Sequence, residues 1–147
     1  MARLLITGMS GTGKSTLLTA LAGHGYTTVD TDYDGWTLAD GRWDLPRMIA
    51  LLDAHDTIAV SGTVDNQGEI ADRFDHVALL SAPLPVLLER VARRTDNGYG
   101  RSEADRAEIA EYLLTVEPLL RRMATVELDA TLPPEQILEA VLALSRA

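Results

Sequence analysis

Residues 3–16 read RLLITGMSGTGKST: an apolar run, a glycine-rich loop and the start of a helical pattern. Within them, positions 8–15 fit the pattern G-x-x-x-x-G-K-[ST] without a mismatch. The glycines let the backbone turn so that its N–H groups converge on phosphate oxygens. A helix that starts at Lys14 adds the positive end of its dipole. The segment therefore predicts a strand, a phosphate-binding loop and a helix in that order.

Each loop position has an expected role toward a nucleoside triphosphate. Lys14 supplies positive charge to the outer phosphates, and Ser15 offers its hydroxyl to Mg²⁺. Lys14 is the only lysine in the chain, so no other ammonium can replace it. A glycine-rich turn that matches by chance is the alternative, and the strand and helix on either side argue against it. The predicted ATP contacts are Gly8, Ser10, Gly11, Thr12, Gly13, Lys14, Ser15 and Thr16.

Short apolar runs alternate with amphipathic segments along the rest of the chain. This alternation predicts an α/β domain, residues 1–147, with a parallel sheet covered on both faces in three layers. Pro118 is expected to bend or divide the fourth helix. The predicted strands are Arg3–Thr7, Thr27–Asp30, Thr57–Ser61, Val77–Ser81 and Thr125–Asp129. The predicted helices are Lys14–Ala22, Leu45–Ala54, Leu84–Arg94, Ser102–Met123 and Pro134–Ser145.

Composition narrows the choice of partners. The chain has 13 Lys and Arg against 22 Asp and Glu, a formal charge of −9. A domain this acidic is a poor binder of nucleic acid or of anionic membranes. It has no cysteine, which excludes disulfides, thiolate metal sites and a cysteine nucleophile. The apolar start breaks at Gly8, too early for a signal sequence or a membrane span, so a cytoplasmic protein is expected.

An acidic pair follows the second predicted strand in the sequence Val29-Asp30-Thr31-Asp32. Two carboxylates two positions apart on an extended chain point to the same side. Beside the phosphate loop, one could orient Mg²⁺ and the other could accept a proton from a substrate hydroxyl. A solvated turn is the alternative, since Asp34-Gly35 follows at once.

Arginines gather at the end of the third predicted helix. Arg90, Arg93 and Arg94 stand at i, i+3 and i+4, so they share one helix face. Residues 95–101, TDNGYGR, combine two glycines with Arg101 and predict a short lid. In a closed state, such an arginine meets the charge on a transferring phosphoryl group. Surface ion pairs, such as Glu89 with Arg93, are the alternative reading.

The segments GMSGTGKST, VDTD, ERVARR with its short lid, and EPLLRRMATVELDAT resemble the shikimate kinase and nucleoside-monophosphate kinase group of P-loop kinases. This resemblance implies a five-stranded parallel sheet of order 2-3-1-4-5, ATP with Mg²⁺, and a lid. It also implies that Asp30 helps to place Mg²⁺ and that Asp32 faces the acceptor hydroxyl. By the same resemblance, Arg90 or Arg94 lies over adenine and Arg101 acts from the lid.

The chain departs from this group where the acceptor binds. Shikimate kinases carry a glycine triplet after the third strand and a carboxylate-gripping arginine later, where this chain has residues 61–64 and 115–117, SGTV and TVE. Nucleoside-monophosphate kinases place an arginine where residues 64–67 read VDNQ. Neutral polar groups and aromatic rings instead favour a hydroxylated, ring-containing acceptor, although the tryptophans could simply cap the core. The side chains concerned are Asn66, Gln67, Tyr33, Trp36 and Trp43.

These observations predict an ATP-dependent small-molecule kinase that phosphorylates a hydroxyl and is a monomer or homodimer. A GTPase would need the tetrapeptide N-K-x-D, which does not occur. AAA-type motors and helicases end a strand in Asp-Glu, and the third predicted strand ends in Ser61 instead. The rival interpretation is a regulatory ATP- or GTP-binding module. Such a module would have an exposed apolar partner surface and no enclosed acceptor pocket.

Overall fold

A computed structural model describes residues 2–93 and 101–146, and within them strands and helices alternate as predicted. Each strand bound lies within one residue of its prediction. The strands are β1 Arg3–Gly8, β2 Thr27–Asp30, β3 Ile58–Ser61, β4 His76–Ser81 and β5 Val126–Asp129. The helices are α1 Lys14–Ala22, α2 Leu45–Asp53, α3 Leu84–Ala92, α4 Glu103–Thr115, α5 Glu117–Met123 and α6 Pro134–Arg146.

The five strands form one parallel sheet of order β2-β3-β1-β4-β5, which confirms the predicted topology. The central strand β1 pairs with β3 and β4, and its residues Leu4, Leu5 and Ile6 are fully buried. All strands run in one direction, so their carboxyl ends share one edge of the sheet. That edge collects the segments that follow β1, β2 and β3, which is where an open α/β sheet binds its ligands.

Both faces of the sheet are covered, as the three-layer prediction requires. Alternate residues of β1 point to opposite faces, so Leu4 and Ile6 join one core cluster while Leu5 joins the other. The first cluster includes the buried faces of α1 and α6, and the second includes α2 and Trp43. Each fully buried aliphatic side chain contributes about 1.5–3 kcal/mol to folding. No helix in the described residues is long and apolar enough to cross a membrane.

The fourth predicted helix is divided, as Pro118 suggested. It ends at Thr115, and α5 begins at Glu117 with Pro118 in its first turn. A proline in the first turn leaves no hydrogen bond unmade, because its missing N–H would have had no partner there. A 3₁₀ helix at Gln67–Arg73 and an isolated bridge between Thr37 and Trp43 were not predicted.

Trp43 anchors the segment between β2 and α2. Its backbone N–H donates to Asn66 Oδ1 (2.9 Å), and Asn66 Nδ2 donates back to the Trp43 carbonyl (3.0 Å). The ring lies against Gly62, where a Cβ atom would collide with Thr31 Oγ1 and come within 3.1 Å of the indole. A side chain at position 62 would therefore push apart the segments that follow β2 and β3.

Candidate active site

The loop between β1 and α1 has the conformation that its glycines predicted. Gly8 has a φ of 153°, and a Cβ there would lie 2.5 Å from the Leu80 carbonyl oxygen on the neighbouring strand. Thr12 closes the loop, since its hydroxyl donates to the Met9 carbonyl (2.9 Å). No side chain caps α1, whose first residue follows Gly13 in a left-handed conformation. The first N–H groups of α1 are thus left to a ligand, as anion binding at a helix start requires.

Lys14 extends back across this loop. Its ammonium donates to the carbonyl oxygens of Gly8 (2.7 Å) and Met9 (3.1 Å), and the side chain is half-buried. Phosphate oxygens are stronger acceptors for an ammonium than neutral carbonyls are. A triphosphate in the loop would therefore draw the Lys14 ammonium to itself at a small cost in broken contacts.

Ser15 and Asp30 lie together, as the prediction of a Mg²⁺ site required. Ser15 Oγ donates to Asp30 Oδ2 at 3.1 Å, and the backbone N–H of Asp32 donates to Asp30 Oδ1 at 3.1 Å. A hydroxyl and a carboxylate are hard oxygen donors, so this pair fits Mg²⁺, which takes few protein ligands and keeps several waters. In the described part of the chain no three acidic or histidine side chains cluster to hold a metal on their own. Mg²⁺ bound here would therefore depend on phosphate oxygens as well.

Asp32 lies in a cleft of about 550 Å³ on the Lys14 side of the loop. Its carboxylate is exposed and makes no hydrogen bond or ion pair with the described residues. The cleft also contacts the segment after β3 and the inner faces of α4 and α5. The residues lining it are Gly8, Met9, Ser10, Lys14, Asp32, Thr63, Val64, Asp65, Gln67, Gly68, Tyr112, Val116, Leu119, Leu120 and Met123.

A second cleft, of about 280 Å³, meets the other end of the loop. Arg90 crosses its edge and donates to the carbonyl oxygens of Gly11 (3.2 Å) and Ala130 (2.7 Å). The guanidinium thus connects the loop to the end of β5. The walls are mostly apolar, as a flat aromatic base requires. They are formed by Thr12, Gly13, Thr16, Leu17, Ala20, Arg90, Ala130, Leu132, Pro134 and Ile137.

The other predicted arginines have different surroundings. Arg93 is exposed and forms an ion pair with Glu89 (2.6 Å), which is the surface alternative weighed for it. Arg94 and residues 95–100 lie outside the described residues, so most of the predicted lid does too. Arg101 is exposed and directly precedes Ser102, whose hydroxyl caps α4 by accepting from the Asp105 N–H (3.0 Å).

Two residues brace the start of the loop: Thr63, which the sequence did not single out, and Gln67, which it associated with the acceptor. Thr63 Oγ1 donates to the Gly8 carbonyl at 2.7 Å and lies 3.3 Å from the Thr7 hydroxyl. Gln67 donates to Thr7 Oγ1 (3.0 Å) and accepts from the Val64 N–H (2.9 Å), although only 1% of its surface is exposed. These bonds fix the end of β3 against the loop. Both residues also line the cleft that holds Asp32.

Most of the neutral polar and aromatic side chains that suggested a hydroxylated, ring-containing acceptor lie away from the cleft, and Trp43 agrees with the alternative that it caps the core. Asn66 is buried, and its amide is hydrogen-bonded to the Trp43 backbone. Trp43 itself belongs to the core. Trp36 lies under the Arg47 guanidinium, 3.9 Å from the ring centroid, and Tyr33 is 59% exposed. Of these five side chains, only that of Gln67 lines the cleft. Asn66 does not, because its amide satisfies buried backbone groups.

An ion-pair network connects α5 with β4 and β5. Arg121 donates to Glu117 Oε1 (2.8 Å) and to Glu127 Oε1 (2.8 Å), and the Ser81 hydroxyl donates to Glu127 Oε2 (2.7 Å). The Arg121 hydrogen bond, followed by that of Ser81, lowers the pKa of Glu127. The same two carboxylates raise the pKa of Arg121. This network ties α5 to the ends of β4 and β5 behind the cleft.

The family model described as "AAA domain" matches residues 4–111. The chain belongs to the AAA domain family. That stretch runs from β1 through the phosphate loop, the acidic pair and Arg90 into α4. The Asp-Glu pair with which AAA-type motors end a strand does not follow β3 in the described residues, where Ser61 is followed by Gly62 and Thr63.

Two curated relatives are dephospho-CoA kinases of Corynebacterium glutamicum. One is 28% identical over 117 residues, which cover 76% of this chain and 57% of the relative. The other is 29% identical over 132 residues, covering 86% of this chain and 64% of the relative. The chain therefore spans about three fifths of the length of these relatives.

Solved structures of small kinases share the fold over nearly the whole chain. Shikimate kinase from Bacteroides thetaiotaomicron superposes with a TM-score of 0.74 at 17% identity, covering 99% of this chain and 98% of that one. Shikimate kinase from Acinetobacter baumannii, in complex with shikimate, gives 0.69 at 19% identity with 97% and 94% covered. A gluconokinase from Sinorhizobium meliloti gives 0.68 at 22% identity with 98% and 91% covered. These likenesses confirm the predicted fold group.

Proposed function

We propose that this protein is an ATP-dependent kinase that transfers the γ-phosphate to a hydroxyl of a small molecule. The observation that carries the proposal is the pair of clefts that meet the phosphate loop at its two ends. One cleft, beside Thr12 and Arg90, suits a nucleotide base, and the other, beside Lys14, contains Asp32. A phosphoryl donor and its acceptor need two such sites joined at the transferring group.

The residues of the loop and of β2 have complementary tasks in this reaction. Lys14 exchanges its carbonyl partners for outer phosphate oxygens and offsets their charge. Asp32 accepts the proton of the acceptor hydroxyl or orients that hydroxyl for attack. Asp30 remains the second candidate for the base. Mg²⁺, when bound, neutralises charge on the outer phosphates, and Ser15 and Asp30 are the residues that would hold it.

The nucleotide is held by the remaining predicted contacts. Backbone N–H groups of the loop and of Thr16 bind its phosphates, and Arg90 covers the base where it bridges Gly11 and Ala130. Arg94 stays a second candidate for that role. Arg101 acts from the lid on the charge that develops during transfer.

The named relatives and structural neighbours are kinases, and this supports phosphoryl transfer without identifying the acceptor. The regulatory-module alternative would need an apolar partner surface instead of an acceptor cleft. Leu114 is 78% exposed on α4, but Tyr112 and Leu119, its exposed apolar neighbours on α4 and α5, line the cleft. The cleft therefore accounts for most of that apolar surface.

The proposal also covers the partners, the oligomeric state and the cellular location of the protein. The net charge of −9 supports a small-molecule partner and disfavours nucleic acid and anionic membranes. We expect a monomer or homodimer in the cytoplasm, where ATP and Mg²⁺ are plentiful.

A two-step experiment tests the function. Binding of a non-hydrolysable ATP analogue with Mg²⁺ is first measured by thermal shift and calorimetry, since a ligand specific for the folded state raises its melting temperature. ADP release is then measured in a screen of hydroxylated metabolites and nucleosides. At least one compound should raise ADP release above the background, and Asp32→Asn should lower that increase by roughly 10²-fold. Tight ATP binding with no acceptor-dependent ADP release would favour the regulatory module.

A further inference from the structure

The acceptor cleft has one acidic wall and one apolar wall, which restricts the molecules that it can hold. Asp32 and Asp65 follow the neighbouring strands β2 and β3 and both line the cleft. The opposite wall consists of apolar side chains of α4 and α5, among them Tyr112, Val116 and Leu119. Tyr112 is 45% and Leu119 57% exposed, so this wall offers open apolar surface to a ligand.

Lys14 is the only basic side chain among the described residues that line the cleft, and phosphate binding engages it. Two further arginines, in α2 and α5, are held by groups that do not line the cleft. Arg47 donates to the carbonyls of Asp34 and Gly35, and Arg121 is held by two glutamates. Among the described residues that line the cleft, a carboxylate or phosphate on the acceptor would therefore meet two aspartates and no cation of its own.

The two aspartates are available to a ligand. Neither carboxylate makes a hydrogen bond or an ion pair with the described residues, and Asp65 is exposed. Gln67, which lies between Asp65 and the loop, has both ends of its amide committed to Val64 and Thr7. Asp65 is thus the polar group on this wall, apart from Asp32, that can accept hydrogen bonds from an acceptor.

We infer that Asp65 is a specificity-determining residue and that the acceptor is a neutral or cationic hydroxyl compound with an apolar or aromatic face. This inference rests on the proposed function and names its substrate class. Asp32 takes the reacting hydroxyl, while Asp65 accepts a hydrogen bond from a second hydroxyl or an amine of the same molecule. The apolar face of the acceptor packs against Tyr112 and Leu119, where its burial adds affinity.

The test compares acceptors that differ in charge. ADP release is measured with thymidine, adenosine and glucosamine, and with the anionic compounds thymidine 5′-monophosphate, gluconate, shikimate and dephospho-CoA. The best neutral or cationic compound should exceed the best anionic one in kcat/KM by about tenfold or more, because an unpaired like charge is excluded from the cleft. A higher kcat/KM for any of the anionic compounds would overturn the inference.

Variants of Asp65 test its role directly. Asp65→Asn should raise KM for the best acceptor by about tenfold and leave the affinity for ATP unchanged, as expected for a lost charge-assisted hydrogen bond. Asp65→Arg should shift the preference toward the anionic compounds. Asp72→Asn, an exposed aspartate in the 3₁₀ helix outside the cleft, is the control and should behave as wild type. An unchanged KM in both Asp65 variants would contradict the assignment.

Binding measurements distinguish a failure of this inference from a failure of the proposed function. If no compound is turned over, their binding is measured by calorimetry with the ATP analogue present. Binding of none of the neutral or cationic compounds would overturn the acceptor class. Failure of the wild-type protein to bind the ATP analogue would instead overturn the proposed function.

Discussion

Replacing Arg90 with alanine removes the connection between the phosphate loop and the end of β5. In the wild-type protein this guanidinium donates to Gly11 O at 3.2 Å and to Ala130 O at 2.7 Å. Ala130 lines the cleft assigned to the nucleotide base, and Gly11 directly precedes Thr12, which also lines it. The substitution therefore loosens the loop on its base side and leaves the Lys14 side of the loop untouched.

The size of the effect follows from these two bonds. Hydrogen bonds to a charged group contribute about 1.5–3 kcal/mol each when buried, and Arg90 is half-buried, so the lower end applies. We expect the free energy of unfolding to fall by about 3 kcal/mol, about 1.5 kcal/mol for each bond. The same bonds hold the loop in the conformation that binds phosphate. Their loss should therefore also weaken ATP binding and raise the Kd for ATP about 10- to 30-fold. The value of kcat should change little, because Arg90 lies away from the transferring phosphate.

Arg93→Ala provides a matched control on the same helix. Arg93 is 78% exposed at its side chain and pairs only with Glu89, so its loss should cost little in stability or in ATP affinity. Urea unfolding and calorimetric titration of an ATP analogue with Mg²⁺ measure both quantities for the two variants. If Arg90→Ala and Arg93→Ala bind ATP equally well, the bridge does not shape the nucleotide site and the reasoning fails.

Four further substitutions test the remaining assignments. Lys14→Ala should lose most ATP binding or turnover while its circular dichroism stays that of the wild type; unchanged affinity and turnover would refute the phosphate loop. Asp32→Asn should lower kcat by roughly 10²-fold with ATP affinity kept, and full turnover would move the base to the other carboxylate of the pair. Arg101→Ala should slow kcat by about 10²- to 10³-fold with a much smaller change in KM for ATP, and a normal kcat would remove it from the transition state. Glu127→Gln should be less stable than wild type near pH 7 in urea unfolding, because the Arg121 bond lowers the pKa of Glu127 below its ordinary 4.5. The difference in the free energy of unfolding between the two proteins should therefore shrink as the pH falls through that lowered pKa. A difference that does not change with pH would contradict the assignment.

The strands β1, β3 and β4 could be predicted because each is a short, mainly aliphatic run between polar or glycine-rich segments. The loop motif then fixed the start of α1 to the residue, and Pro118 marked the break between α4 and α5. The 3₁₀ helix at Gln67–Arg73 was missed because two short 3₁₀ turns joined at a kink at Ile70 carry no apolar period. Its neighbour Asn66 was assigned to the acceptor for a related reason: the sequence does not reveal which amides are buried against backbone groups.

The phosphate side of the candidate site was more predictable than the acceptor side. Ser15 and Asp30 come together because a motif and a strand end place them at one sheet edge. Thr63 braces Gly8 from β3, a strand that pairs with β1 although it is distant along the chain. Contacts of that kind depend on sheet order and on side-chain packing, and a residue pattern carries little information about either. Asp65 gained its role only when α4 and α5 were placed opposite it.

The strand order has a consequence for the way the chain folds during synthesis. Of the five described strands, the central one, β1, is synthesised before the others, and its partners are β3 and β4, with Leu4 opposite both Ala59 and His76. This buried strand therefore leaves the ribosome before either partner and remains unpaired until residues near position 61 have been added. Pairing over such distances along the chain is slow, and unpaired strand edges aggregate. Newly made chains of this protein should thus depend on chaperones most before β3 has emerged.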